Sequence, residues 1–79
     1  MTLSDRGPVP LYQQIAAELA ARIKDGTYGP GDRLPSEPEL MAEFGVAQIT
    51  ARKAHRVLRD EGLADIVKGR GTFVTGAAA

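Results

Sequence analysis

The chain has no cysteine, so neither a disulfide framework nor a thiolate metal site can hold it together. It has a single histidine, which leaves no imidazole pair for a metal; with no cysteine and no paired acids beside it, the sequence offers no nucleophile–base arrangement for an enzyme. No apolar run approaches the roughly 20 residues that span a bilayer. Met1–Gly7 lacks the apolar core of a signal peptide. These absences lead to the expectation of a soluble cytoplasmic protein, associated with the nucleoid if it binds DNA, with no cofactor, no metal, no membrane and no catalysis.

Net charge is missing too. Ten basic side chains balance ten acidic ones, which on its face argues against nucleic acid. Their distribution argues the other way. Residues 1–45 carry four basic side chains against seven acidic, whereas residues 46–79 carry six basic against three acidic. A basic half is the footprint of a phosphate-binding surface. At 79 residues there is room for one domain. A domain of this size buries only about 60% of its unfolded surface, so its core must be compact.

Pro8 and Pro10 bracket the entry to a first helix, where a missing amide does no harm. From Leu11 to Asp25 the apolar residues recur at helical spacing, and Gly26 supplies the stop. Gln13, Gln14, Glu18, Arg22 and Lys24 fall largely on the opposite, polar face. Gly29-Pro30-Gly31 is a dense turn signal, and Arg33-Leu34 is a candidate short strand ended by Pro35. Ser36-Glu37-Pro38-Glu39 reads as a capping box in which Ser36 accepts from the amide of Glu39.

The second helix should run to Phe44, burying Leu40, Met41 and Phe44, with Gly45 in the left-handed conformation after it. A third helix spans Ala47 to Glu61, with Ala51, Ala54, His55 and Leu58 on one face. Leu63–Thr75 has β-branched residues on both sides of Lys68-Gly69-Arg70-Gly71, the pattern of a hairpin with a basic tip. Residues 1–7 read as a flexible arm, 8–75 as the domain and 76–79 as a disordered tail.

Two short helices joined by a tight turn form the motif that lays its second helix in the DNA major groove. The outward face of the third helix presents Gln48, Ile49, Thr50, Arg52, Lys53 and Arg56. Glutamine can read adenine, arginine can read guanine, and threonine can meet a thymine methyl or a phosphate. The helices alone fit a small bundle with an ordinary solvated face equally well. The hairpin tip adds two cations and two glycines at one point, where backbone can approach a phosphate or a groove floor closely. The fold class is mainly α with a small β-hairpin: a winged helix-turn-helix of three helices and a two- or three-stranded antiparallel wing.

Six ordered pieces then carry a specific resemblance. They are Pro10-Leu11-Tyr12-Gln13-Gln14-Ile15, Gly31-Asp32-Arg33-Leu34-Pro35-Ser36-Glu37, Phe44-Gly45-Val46, Thr50-x-Arg52-Lys53-Ala54, Glu61-Gly62-Leu63 and Gly69-Arg70-Gly71-Thr72-Phe73-Val74. Together they resemble the N-terminal winged-helix domain of the GntR family of bacterial repressors, and the opening is most similar to its HutC and YtrA branches. The resemblance covers about residues 8–75. It implies a dimeric, operator-binding regulator of transcription, in which any small-molecule effector binds a separate C-terminal domain.

The resemblance also implies contacts: Arg33 and Ser36 near phosphates, Gln48, Thr50 and Arg52 in the major groove, and Lys68, Gly69 and Arg70 at the minor groove. Lys53 and Gly71 complete the expected DNA-binding set. Pro38 stands where many members carry an arginine, and Gln48 replaces another frequent arginine. Ala47 occupies a position often held by a capping residue, an exchange that typically costs about 1 kcal/mol. Ile66-Val67 replaces a pair that is often basic. His55 stands where leucine is usual, and reads either as a satisfied histidine or as a pH-sensitive packing switch. The rival reading of the whole chain is a winged-helix module for protein partners. Self-pairing on DNA would draw on Tyr12, Val57 and the N-terminal arm.

Overall fold

The computed structural model describes residues 9–75. The arm assigned to residues 1–7 and the tail assigned to 76–79 therefore lie outside the described residues, as does Pro8. In chain order the elements are α1 (Leu11–Lys24), α2 (Glu37–Phe44), α3 (Gln48–Asp60), β1 (Ala64–Val67) and β2 (Gly71–Val74).

Local chemistry sets the boundaries. The α1 helix starts directly after Pro10 without a side-chain cap. Pro10 instead offers its carbonyl to the amides of Gln13 and Gln14. The capping box at α2 is complete: Ser36 Oγ accepts from the Glu39 amide at 3.2 Å. Glu39 Oε1 accepts from the Ser36 amide at 2.8 Å. Pro38, in the first turn, has no amide to satisfy. Gly45 ends α2 with a φ of 66°, which only glycine adopts without strain, and its amide closes on Met41. That left-handed step turns the chain from α2 into α3. Ala47 leads into α3 with no side-chain cap, as its sequence predicts.

The core is built from Ile15, Leu19, Leu34, Leu40 and Leu58, all fully buried. Each such side chain contributes roughly 1.5–3 kcal/mol through removal from water. Ala51 and Ala54 are also fully buried, and their small size lets α3 approach its neighbours closely. On α2 only Leu40 is fully buried; Met41 and Phe44 are half-buried, because an eight-residue helix turns just one narrow stripe inward. Arg22 is not on a solvated face. It is half-buried, pairs with Glu18 and with Glu43 of α2, and lies 5.8 Å from the Phe44 ring centre. The Glu43 carboxylate, chiefly, raises the guanidinium pKa above its ordinary value.

Strands β1 and β2 pair antiparallel, with Ala64 opposite Val74 and Val67 opposite Gly71. On β2 the side chains alternate, Thr72 and Val74 facing inward. The candidate strand at Arg33-Leu34 is a single bridge, Arg33 to Phe73, so the sheet itself has two strands. Backbone bonds Gly31 to Val74, Val74 to Asp32 and Leu34 to Thr72 nevertheless fasten this segment along β2. Strand β2 is thereby held on both edges, by β1 on one side and by the Gly31–Leu34 segment on the other.

Candidate nucleic-acid interface

Three segments meet on one side of the molecule: the N-terminal half of α3, the Ser36 end of α2 with the preceding loop, and the β1–β2 turn. A cleft of 380 Å³ lies between the last two, lined by Arg33, Ser36, Glu37, His55, Lys68 and Arg70 among others. Three of these six side chains, Arg33, Lys68 and Arg70, are cations against the one carboxylate of Glu37, which makes the cleft suited to an anion.

Gln48 and Arg52 lie four residues apart on α3, so both project from one face. Both are exposed. They share a partner across the helix-turn-helix. Gln48 donates from Nε2 to Glu37 Oε1 at 3.0 Å, and Arg52 donates from Nε to Glu37 Oε2 at 3.3 Å. The hydrogen bond from Gln48, reinforced by Arg52 and opposed by partial burial, holds the Glu37 carboxyl below its ordinary value. Glu37 was not among the expected site residues. Its role depends on α2 crossing α3, and residues 11 and 15 positions apart give no local pattern to read.

The other expected residues fall in different places. Arg33 is exposed, and its side chain lies against the start of β2: a Cβ on Gly71 would sit 3.2 Å from Arg33 Nε. Gly71 has a φ of 132°, so both space and backbone favour glycine there. Lys68, Gly69 and Arg70 form the exposed turn, closed by the Arg70 amide on the Val67 carbonyl at 2.9 Å. Ser36 lines the cleft while its Oγ caps α2. Thr50 is half-buried in the first turn of α3. Lys53 stands apart: its Nζ lies 5.6 Å from the Tyr12 ring centre, on the α1 side. A cation–π contact of this kind at an exposed site contributes about 0.5–1 kcal/mol.

His55 is 4% exposed and both ring nitrogens are engaged. Nε2 bonds the Pro35 carbonyl at 2.8 Å, and Nδ1 meets Thr72 Oγ1 at 3.2 Å. Of the two readings of this residue, the satisfied histidine fits this geometry. Beyond the turn, Ile66 and Val67 remain exposed, because β1 projects past the core. No helix among the described residues is long and apolar enough to cross a membrane.

This arrangement can be set beside known proteins. The pattern that defines the gntR family of bacterial regulatory proteins matches residues 11–74. The chain belongs to that family. It is 43% identical over 75 residues to the transcriptional repressor NagR of Bacillus subtilis, covering 95% of this chain and 31% of that protein. It is 43% identical over 67 residues to the histidine utilization repressor of Klebsiella aerogenes, covering 85% of this chain and 28% of that protein.

Among solved structures, AraR(DBD) in complex with an operator superposes with a TM-score of 0.86 at 39% identity, covering 95% of both chains. The GntR-family factor YtrA from Sulfolobus acidocaldarius gives 0.83 at 36% identity, covering 94% of this chain and 78% of that one. These neighbours establish the winged-helix fold. The chain spans under a third of the length of the two curated relatives described.

Proposed function

We propose that this chain is the operator-reading domain of a transcriptional repressor. One observation carries the reading: the exposed Gln48 and Arg52 of α3 bond Glu37, which lines one cleft together with Arg33 and the basic turn Lys68–Arg70. The likeness to AraR(DBD), solved with its operator bound, supports it. In this reading α3 enters the major groove, where Gln48, Thr50 and Arg52 meet base edges, and Lys53 meets the flanking backbone. Arg33 and Ser36 hold phosphates beside the cleft. Lys68 and Arg70 reach the minor groove, with Gly69 and Gly71 allowing the wing backbone to approach. Phosphate contacts position the domain, and base contacts specify the site.

Two copies would read a palindrome or near-palindrome, with half-sites about 34–36 Å apart or a multiple of that distance. Effector control would belong to a further domain, as the greater length of the relatives suggests. Each copy makes few phosphate contacts, so binding should be modest and should weaken steeply with salt. A fluorescence-anisotropy titration with duplex pools at low and at physiological salt tests this. Saturable binding at low salt that weakens with added salt is expected. A folded chain that binds no duplex at low salt would refute the reading and favour a protein-interaction module.

A further inference from the structure

We infer that Glu37 is a positioning residue that makes Gln48 a reader of adenine and Arg52 a reader of guanine. The inference rests on the DNA-reading function proposed above, and concerns which bases the α3 face accepts.

An ionised carboxylate only accepts hydrogen bonds, so the Gln48 atom facing Glu37 Oε1 at 3.0 Å must be the amide nitrogen. That contact fixes which end of the amide is oxygen, and it occupies one of the two amide hydrogens. One N–H and the carbonyl oxygen of Gln48 remain. A donor beside an acceptor complements the major-groove edge of adenine, whose N7 accepts and whose N6 donates. Guanine offers two acceptors, N7 and O6, and would require both amide hydrogens. With one hydrogen committed to Glu37, the guanine mode is lost.

The same carboxylate acts oppositely on Arg52. Its Nε donates to Glu37 Oε2 at 3.3 Å, so the guanidinium is held by its side. The Nη1 and Nη2 donors at the far end remain as a parallel fork, the geometry that matches the two acceptors of guanine. Adenine presents a donor at one of those positions and is rejected.

The spacing sets the relation between the two bases. Four residues of helix rise about 6 Å, against about 3.4 Å per base pair. The adenine and the guanine therefore lie one or two base pairs apart in each half-site. The chain's own residues matter here: where glutamine gives way to arginine at position 48, the same carboxylate would hold a second guanine reader.

Selection of bound duplexes from a random pool, with the 79-residue chain, tests the inference. Thermal melts of each variant confirm that it is folded. The wild-type chain should enrich a half-site with one adenine and one guanine at the stated separation. Glu37→Gln should relax the adenine position towards guanine, with discrimination falling about tenfold. Gln48→Arg should convert that adenine into guanine and leave the other position unchanged. In the free protein, the Arg52 Nε–H resonance should be slow to exchange, and Glu37→Gln should abolish that protection.

A folded Glu37→Gln variant that keeps full adenine-over-guanine discrimination would overturn the inference and leave the DNA-reading function standing. So would loss of a required cytosine in Glu37→Gln with adenine and guanine unchanged, since Glu37 would then read a base itself. A folded wild-type chain that enriches nothing would defeat both.

Discussion

His55 Nε2 lies 2.8 Å from the carbonyl oxygen of Pro35, so the middle of α3 and the loop before α2 share one hydrogen bond at a buried ring. A carbonyl can only accept, which places a ring proton on Nε2. In the neutral ring, Nδ1 then accepts from the Thr72 hydroxyl of β2 at 3.2 Å. One side chain thus joins α3, the loop before α2 and strand β2.

Replacing that ring with leucine leaves the Pro35 carbonyl and the Thr72 hydroxyl without these partners. His55→Leu should cost about 1–3 kcal/mol of stability in urea unfolding, the usual penalty for stranded buried polar groups. Adding Thr72→Val removes one stranded group. The double variant should therefore lose less than the sum of the single losses. Strict additivity would mean that the two side chains do not act together.

At Gly71 the expected effect is on binding more than on folding. An alanine Cβ would sit 3.2 Å from Arg33 Nε, the flexible far part of a side chain, so Arg33 can swing aside. Gly71→Ala should cost about 1 kcal/mol of stability for the backbone conformation alone. It should also weaken DNA binding measured by anisotropy at low salt. If Arg33 carries that loss, Gly71→Ala in an Arg33→Ala background should weaken binding little further.

Acid should destabilise the chain through three carboxyls. The Ser36 amide holds Glu39, and the Gln48 amide holds Glu37, below their ordinary value of 4.5. The Thr27 hydroxyl, with the Thr27 amide, lowers Asp25 from 3.8. The unfolded chain takes up these protons first as pH falls, so each group's stabilisation is complete above its ordinary value. It is lost as pH drops through the depressed one. The melting temperature should owe no decline to these groups between neutrality and about pH 5.5, and should fall below about pH 4.5. Glu39→Gln should make that fall shallower.

Arg70→Ala and Arg52→Ala should differ in kind. Loss of a phosphate or minor-groove cation weakens all sequences alike and lowers the slope of log affinity against log salt by about one contact. Loss of a base reader instead relaxes preference at one position by about 1–3 kcal/mol. Anisotropy titrations over a salt series, with a selected duplex and a scrambled one, separate the two.

The chain itself announces much of this structure. The capping box at Ser36 and Glu39, the left-handed Gly45, the uncapped Ala47 and the wing turn all depend on residues within a few positions of one another. Local chemistry decides them, and it is written in order. What stayed hidden depends on elements crossing. Arg22 looked solvated along α1, yet Glu43 and Phe44 of α2 draw it inward. Nothing in the order of residues pairs Lys53 with Tyr12, which the start of α1 brings beside it.

Glu37 shows this most clearly. As the first residue of α2 it reads simply as an acid at a helix N-terminus, where a negative charge is favourable. Only the packing of α2 on α3 reveals that it holds both Gln48 and Arg52. Its meaning lies in the angle between two helices, which small residues such as Ala51 set and no short motif encodes.

If α3 and the wing turn form one DNA-facing surface, both must respond to DNA together. Amide chemical-shift mapping of the 79-residue chain during titration with a selected duplex tests it most directly. Large shifts are expected at Ala47–Lys53 and at Lys68–Gly71, with Ala17, Ala21 and Lys24 on the exposed side of α1 unmoved. Shifts confined to α1, with α3 and the turn silent, would contradict it.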